Sequence, residues 1–135
     1  MMVDYQMLLE NAKSARERAY TPYSRFKVGA AVLTASGRIF HGCNIENAAY
    51  PVCLCAERSA LAAAWSAGET EFVAIAVVAD TPGPVAPCGM CRQFMFELAP
   101  DMSVLLANLA DQTQPTTPRE LLPGGFSRES LTAND

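Results

Sequence analysis

An uninterrupted apolar run from Phe72 to Ala79, rich in β-branched side chains, sets the strongest limit on the fold of this chain. Such a run is typical of a strand that is buried on both faces of a sheet. An alanine-rich stretch, 56–67, precedes it, and a second helical pattern, 89–98, follows it. A strand between two helices favours an α/β fold. The run is also far shorter than the roughly 18 to 20 apolar residues that cross a bilayer, so no membrane partner is expected.

The rest of the chain supplies the other predicted elements. Apolar residues at helical spacing predict a first helix over 5–19, and Asp4 provides its N-cap. Alternating residues predict a hairpin of two strands, 26–32 and 38–45, around the turn at Ser36-Gly37. Two further elements are a strand over 104–107 and a short helix at the capping box Thr117-Pro118-Arg119-Glu120. The order α-β-β-α-β-α-β predicts a single α/β domain over residues 1–135, a length that buries about two thirds of its surface on folding.

The charge and the cysteine count limit the partners and the compartment. The formal net charge is −4, so the chain lacks the basic field that attracts nucleic acid. Its first residues lack the basic start and apolar stretch of a signal peptide. Five cysteines, an odd number, favour reduced thiols or thiolate metal ligands over a disulfide framework. We therefore expect a cytoplasmic protein that binds neither nucleic acid nor membranes.

Two cysteine motifs indicate the chemistry. Cys55-Ala56-Glu57 and Cys88-Gly89-Met90-Cys91 each lie at the predicted start of a helix. The helix dipole favours a thiolate at that position. A bare C-x-x-C is also compatible with a redox dithiol or with buried cysteines that serve as small hydrophobic residues. Two motifs at matching helix starts favour a zinc site over both alternatives.

The zinc site itself has two possible forms. If Cys53 joins Cys55, Cys88 and Cys91, four sulfurs close a structural site, and the protein is a non-catalytic, zinc-stapled oligomerisation module. If only three cysteines bind, a water completes the tetrahedron, and Glu57 reaches that water as a proton carrier. The open form is favoured because a closed site leaves Glu57 without a task. The two motifs also match the C-x-E and P-C-x-x-C pattern of zinc deaminases.

From Tyr23 to Phe126 the chain resembles the short, homotetrameric type of cytidine deaminase. The resemblance rests on five segments in the family's order: Tyr23–Ala31, Gly42–Ala48, Cys55–Arg58, Pro87–Gln93 and Leu121–Phe126. It implies a three-layer α/β/α sandwich around a mixed sheet of about five strands. It also implies one Zn²⁺ per chain, a homotetramer, and a role in pyrimidine salvage. The implied reaction is the hydrolytic deamination of cytidine and 2′-deoxycytidine to uridine and 2′-deoxyuridine, with release of ammonia.

The resemblance also assigns the metal ligands and the proton transfer. It implies that Cys55, Cys88 and Cys91 bind zinc. Glu57 is implied to carry protons from the zinc-bound water to N3 of cytosine and then to the 4-amino group. Arg58 is implied to hydrogen-bond the ligand sulfurs and withdraw negative charge. A surface ion pair is the alternative for Arg58.

The implied substrate contacts lie in other segments. Asn44 and Glu46 are two residues apart, so on an extended strand they face the same way and reach one ligand. The resemblance implies that Glu46 accepts a hydrogen bond from the sugar 3′-hydroxyl and that Asn44 assists. Four residues complete the implied site: Ala56, whose backbone meets the base; Phe26, which packs on the pyrimidine or else belongs to the core; and Phe126 and Tyr50, which cross to a neighbouring subunit.

A blasticidin S-type aminonucleoside deaminase is the alternative within the same class, because it shares the two cysteine motifs. The Asn44–Asn47 segment and Phe126 favour a plain nucleoside substrate instead. The other candidate ligands are interpreted as structural. His41 is expected at the surface or at a sheet edge, and Cys43 and Cys53 are expected to be packing residues.

Overall fold

The computed structural model describes residues 2–132, in which five strands and five α-helices are found. The strands are β1 (Val28–Thr34), β2 (Ile39–Cys43), β3 (Phe72–Ala79), β4 (Ser103–Asn108) and β5 (Thr113–Thr116). The helices are α1 (Tyr5–Arg16), α2 (Ala56–Ser66), α3 (Gly89–Leu98), α4 (Pro118–Leu121) and α5 (Arg128–Thr132), and a 3₁₀ turn spans Tyr50–Val52. Among these residues, no helix is both long and apolar enough to span a membrane.

The five strands form one mixed sheet in the order β2-β1-β3-β4-β5. β3 and β4 run parallel, with Val77 opposite Leu106, and the other neighbouring pairs are antiparallel. β3 is the central strand, and its residues 74–79 are fully buried. The apolar run therefore has the place that its composition predicts, because helices cover both of its faces.

The two faces of the sheet carry different helices. On one face, α1 packs Leu8 and Ala12 against a cluster that includes Ala76 and Val78. On the other face, α2 and α3 cover a second cluster, which includes Leu61, Ile75, Met95 and Val104. This arrangement confirms the three-layer α/β/α prediction.

Two glycines allow helices to lie directly on the sheet. A Cβ atom on Gly42 in β2 would stand 2.3 Å from the backbone oxygen of Ala56 in α2. A Cβ atom on Gly29 in β1 would stand 2.0 Å from the backbone oxygen of Ala12 in α1. Because real Cβ atoms do not approach backbone this closely, both positions require glycine. Gly42 thus fixes the height of the first turn of α2 above β2.

The boundaries differ from the sequence prediction where side chains or long-range pairing decide them. β1 starts at Val28 rather than residue 26, since Arg25 has a left-handed backbone (φ +59°). β2 ends at Cys43 rather than 45, and α1 ends at Arg16 rather than 19. β5 was not predicted because it is polar and contains Pro115, and only pairing with β4 makes it an edge strand.

The C-terminal part of the described chain holds one confirmed helix and one that was not predicted. The short helix α4 is confirmed, and the hydroxyl of Thr117 accepts a hydrogen bond from the Glu120 amide at 3.2 Å. α5 was not predicted because it buries no residue and therefore leaves no apolar pattern.

Candidate active site

The starts of α2 and α3 bring three thiols together. Cys55 is the N-cap of α2 and Cys88 the N-cap of α3, and both have extended backbone angles. Neither thiol forms a capping hydrogen bond with its own helix. Cys91 follows in the first turn of α3 and is fully buried. The three sulfur atoms lie within 4.8 Å of one another, and those of Cys55 and Cys88 are 3.6 Å apart. We call these three residues the thiol cluster.

The thiol cluster fits zinc. Two thiolates on a tetrahedral zinc ion, each about 2.3 Å from the metal, have sulfur atoms about 3.8 Å apart. Cys53 lies outside the cluster. Its sulfur accepts a hydrogen bond from the Asn47 amide at 3.3 Å. Three cysteines leave one tetrahedral position open. The donor set is therefore that of an open zinc site and not of a closed four-sulfur site.

The thiols perturb one another. A hydrogen bond from the Cys91 thiol, together with the nearby Arg58 guanidinium, lowers the pKa of Cys55 to about 5. The same hydrogen bond and burial raise the pKa of Cys91. A thiolate is thus favoured at Cys55 even without a metal, as expected at a helix start.

Glu57 is a buried carboxyl beside the thiol cluster. It is the second residue of α2, and only 4% of its surface is exposed. Burial raises the pKa of Glu57, and the negative charge of Cys55 acts in the same direction. A raised pKa lets a carboxyl hold a proton more readily than an exposed glutamate does, which suits a group that both accepts and donates a proton.

Arg58 lies against the same sulfur. Its Nη2 atom is 3.5 Å from Sγ of Cys55 and 3.4 Å from the backbone oxygen of Cys53. Within residues 2–132 it forms no ion pair with a carboxylate, so the alternative of a surface ion pair is wrong. A cation at this position offsets part of the negative charge of the thiolates.

Asn44 and Glu46 do not lie on a strand, which corrects the sequence prediction. β2 ends one residue before Asn44, and both side chains instead bind the backbone of the loop at 23–28. Asn44 accepts from the Val28 amide at 2.8 Å and donates to the Phe26 oxygen at 2.7 Å. Glu46 accepts from the amides of residues 23 and 24 at 3.0 and 3.1 Å, and from the Ser24 hydroxyl. The Ser24 hydroxyl lowers the pKa of Glu46.

A short backbone ladder connects this region to the thiol cluster. Ile45 and Leu54 exchange two amide-to-oxygen hydrogen bonds of 2.9 Å. Tyr20 donates to the Asn44 oxygen at 3.0 Å and accepts from the Glu46 amide at 2.9 Å. Because Leu54 precedes Cys55 directly, the ladder places Asn44 and Glu46 beside the start of α2. Sequence reasoning missed this ladder, since isolated bridges leave no periodic pattern.

The predicted aromatic contacts are all exposed. Phe26 is 42% exposed, so the alternative that it belongs to the core is wrong. Tyr50 is 69% exposed and packs edge-to-face on Tyr23, with ring centroids 5.8 Å apart. Phe126 is 57% exposed, and its backbone oxygen accepts from the Gln93 side chain at 2.8 Å. Ala56, in contrast, is fully buried in the first turn of α2.

Two residues next to Cys91 support the site and were not assigned a role from the sequence. Arg92 donates to the Pro87 oxygen and to the Leu121 oxygen, both at 2.9 Å. Gln93 holds Phe126 as described above. Both therefore connect α3 to the segment around Phe126. Their position directly after the C-x-x-C motif was the only signal in the sequence.

Comparison with known proteins agrees with this geometry. Residues 2–107 match the family model of the cytidine and deoxycytidylate deaminase zinc-binding region. The chain belongs to this deaminase family. The matched residues include the whole thiol cluster and Glu57, Asn44 and Glu46, and they end before Phe126.

Individual members of the deaminase family are similar over nearly the whole chain. The cytidine deaminase of Halalkalibacterium halodurans is 55% identical, over 96% of this chain and 98% of its own length. That of Sporosarcina psychrophila is 53% identical, over 96% of each chain. The crystal structure of cytidine deaminase from Burkholderia pseudomallei superposes with a TM-score of 0.89 at 54% identity, and covers 93% of this chain and 100% of its own. These matches confirm the family and the fold.

Proposed function

We propose that this chain catalyses the hydrolytic deamination of cytidine and 2′-deoxycytidine to uridine and 2′-deoxyuridine. The observation that carries the proposal is the buried Glu57 carboxyl beside a three-thiol cluster with one open ligand position. The names of the similar proteins from Halalkalibacterium halodurans and Sporosarcina psychrophila support the same substrate class.

The proposed chemistry assigns one carboxyl to all proton transfers. Cys55, Cys88 and Cys91 would hold zinc, which would supply the Lewis acidity that activates a water for attack on C4 of the cytosine ring. Glu57 takes the first proton of that water and delivers it to N3, which makes C4 electrophilic. Glu57 then takes the second proton and delivers it to the 4-amino group. Ammonia leaves, and the ring keeps the oxygen at C4 and the proton at N3.

The residues around the thiol cluster control its charge. Three thiolates and one Zn²⁺ have a net charge of −1, which weakens the metal as a Lewis acid. Arg58 donates towards the Cys55 sulfur and draws off part of this charge. The N-terminal ends of α2 and α3 lie at the same sulfurs, and the positive ends of the two helix dipoles act in the same direction.

The proposed substrate contacts lie on the other side of the site. Asn44 and Glu46 hold the sugar, with Glu46 accepting from the 3′-hydroxyl. The Ala56 backbone and the Phe26 ring hold the base. The exposure of Phe26 supports this role, because an exposed aromatic beside a polar pair offers an open stacking surface.

We also propose that the active protein is a homotetramer in which Tyr50 and Phe126 reach the site of a neighbouring subunit. Both side chains are more than half exposed in the isolated chain, which leaves them free for such contacts. A cytoplasmic location agrees with five free cysteines, because thiolate ligands require a reducing compartment. The net charge of −4 supports a nucleoside rather than a polynucleotide substrate.

The test is the fall in ultraviolet absorbance when zinc-quantified protein is mixed with cytidine or with 2′-deoxycytidine. We expect Glu57→Gln to lower the rate by a factor of about 10² to 10⁴, while about one zinc per chain remains bound. Glu10→Gln, on the exposed face of α1, is the matched control and keeps the wild-type rate. If Glu57→Gln is as fast as wild type, Glu57 is not the proton carrier. If the wild type binds zinc and deaminates neither nucleoside, a blasticidin S-type substrate or a non-catalytic module replaces the proposal.

A further inference from the structure

The loop from Tyr23 to Val28, which ends at the first residue of β1, is held mainly by side chains. Its amides at 23, 24 and 28 and its oxygen at 26 bind Glu46 or Asn44. Arg25 adopts a left-handed backbone with φ +59°, which a non-glycine residue rarely does. Such a conformation persists only where surrounding contacts enforce it. The shape of this loop therefore depends on the side chains that bind it.

The Ser24 hydroxyl lies at the centre of these contacts. It donates its only proton to Oε2 of Glu46 and accepts from the Phe26 amide at 3.0 Å. One hydroxyl thus connects the carboxylate that is proposed to bind the sugar with the backbone of the aromatic residue that is proposed to bind the base. We call Ser24, Asn44 and Glu46 the loop clamp.

The loop clamp leaves a defined number of polar groups for a ligand. A carboxylate has about four acceptor positions, and three of those on Glu46 are occupied by the loop. The free position is on Oε2, the atom that Ser24 also binds. Asn44 uses one of its two N–H groups and one acceptor position of its oxygen, so it keeps one of each. The Ser24 proton therefore determines in which direction the last free acceptor position of Glu46 points.

We propose that Ser24 is a positioning residue that aims the Glu46 carboxylate at the sugar and ties it to the Phe26 backbone. This inference rests on the proposed function in assigning the sugar to Glu46 and the base to Phe26. Ser24 itself touches neither the reacting atoms nor the metal. Its effect is expected on substrate affinity and not on the proton transfers at Glu57.

The first test measures amide hydrogen exchange and does not require activity. In Ser24→Ala we expect faster exchange at the Phe26 amide, which loses its acceptor, and unchanged exchange at Val28, which Asn44 still holds. Ser24→Thr keeps a hydroxyl and should restore slow exchange at Phe26. The matched control is Ser36→Ala, which removes another serine that donates to a glutamate, in the turn between β1 and β2. Unchanged exchange at Phe26 in Ser24→Ala overturns the proposal.

The second test is kinetic. We expect Ser24→Ala to raise KM for cytidine roughly three- to tenfold, the range of one ordinary lost hydrogen bond, because Glu46 keeps its two bonds to backbone amides. Turnover number, zinc content and melting temperature should stay at wild-type values, and Ser24→Thr should restore KM. Because Ser24 acts through Glu46, the loss should be smaller for 3′-deoxycytidine, which lacks the hydroxyl that Glu46 binds.

The outcomes separate this inference from the proposed function. The positioning role is overturned if Ser24→Ala raises KM equally for cytidine and for 3′-deoxycytidine. It is also overturned if the rise in KM accompanies a lower melting temperature and Ser24→Thr does not restore KM. If the wild type deaminates neither cytidine nor 2′-deoxycytidine, the proposed function fails. The amide exchange at Phe26 then still decides whether Ser24 shapes the loop.

Discussion

The thiol cluster and the loop clamp lie on two sides of one site, and they are built in opposite ways. The thiols lie at the ends of two regular helices, and their neighbour Glu57 is buried. The residues of the loop clamp lie outside the helices and strands, and most of the hydrogen bonds of their side chains go to the backbone of the loop. The metal side is thus fixed by backbone geometry, whereas the proposed nucleoside side is fixed by side chains that bind the backbone.

This difference has a consequence for mutation. On the metal side, a helix sets the position of each ligand, so a change in helix packing moves the ligands together. On the proposed nucleoside side, a single hydroxyl or amide sets the position of a loop, so we expect a local change to act on affinity and to leave the fold intact. The short ladder between Ile45 and Leu54 joins the two sides.

The largest expected effect comes from removing one thiol of the thiol cluster. Cys88→Ala should remove zinc and abolish deamination, because two remaining thiols do not hold the metal in a stable tetrahedron. Cys88 is exposed, so its loss opens no cavity in the core. Zinc per chain, measured by atomic absorption, and the rate with cytidine check this expectation.

Cys53→Ala is the matched control for Cys88→Ala. Within residues 2–132 its sulfur bonds only to the Asn47 backbone, so zinc content and rate should stay at wild-type values. Loss of zinc from Cys53→Ala would indicate that Cys53 is a fourth zinc ligand. The closed four-sulfur site would then replace the open one.

The next prediction compares two glycines at which a helix packs on opposite faces of the sheet. Gly42→Ala and Gly29→Ala both force a Cβ atom into helix backbone, so each should lower the free energy of unfolding by about 1–3 kcal/mol or more. Gly42 touches the first turn of α2, which follows Cys55, whereas Gly29 touches α1 on the opposite face. Only Gly42→Ala should therefore weaken zinc binding as well.

Urea unfolding and a competition titration with a zinc chelator measure the two quantities. Gly29→Ala provides the comparison at similar steric cost. Equal zinc affinity in the two variants would show that the start of α2 does not depend on its contact with β2.

The contrast between the two sides also explains how much the sequence could predict. The thiol cluster and Glu57 were predicted because short spacings at helix starts are local, and the central strand was predicted residue for residue. The three-layer fold followed from the family resemblance and is confirmed. β5 and α5 were missed, because an edge strand of polar residues and an exposed helix lack an apolar pattern.

The loop clamp could not be predicted for a different reason. Its contacts join residues 16 to 23 positions apart, and they depend on a left-handed Arg25 that no periodicity reveals. The expectation that Asn44 and Glu46 share a strand was wrong because Asn44 binds the Val28 amide and the strand ends before it. Both side chains nevertheless bind the same loop, and their contact with one ligand stays a prediction.

The smallest expected effect lies outside both sides, at His41 in the edge strand β2. Its Nδ1 atom accepts from Arg18 and its Nε2 atom bonds to Asn11, both at 2.7 Å, on the face of the sheet that α1 covers. Burial lowers the pKa of His41 below its ordinary value of about 6.5, and the charge of Arg18 lowers it further. The folded state then binds fewer protons than the unfolded state, so this contribution to stability is present above about pH 6.5 and lost as the pH falls through the folded pKa.

We expect the melting temperature of the wild type to fall on acidification from pH 7.5 to 5.5 by about 2 °C more than that of His41→Gln, which keeps a neutral polar side chain. Acid also protonates the thiol ligands, but it does so in both proteins, so the difference between them isolates His41. KM for cytidine at pH 7.5 should be the same in both proteins. A change in KM in His41→Gln would show that the face of β2 covered by α1 influences the loop clamp. The loop clamp would then not depend on its own side chains alone.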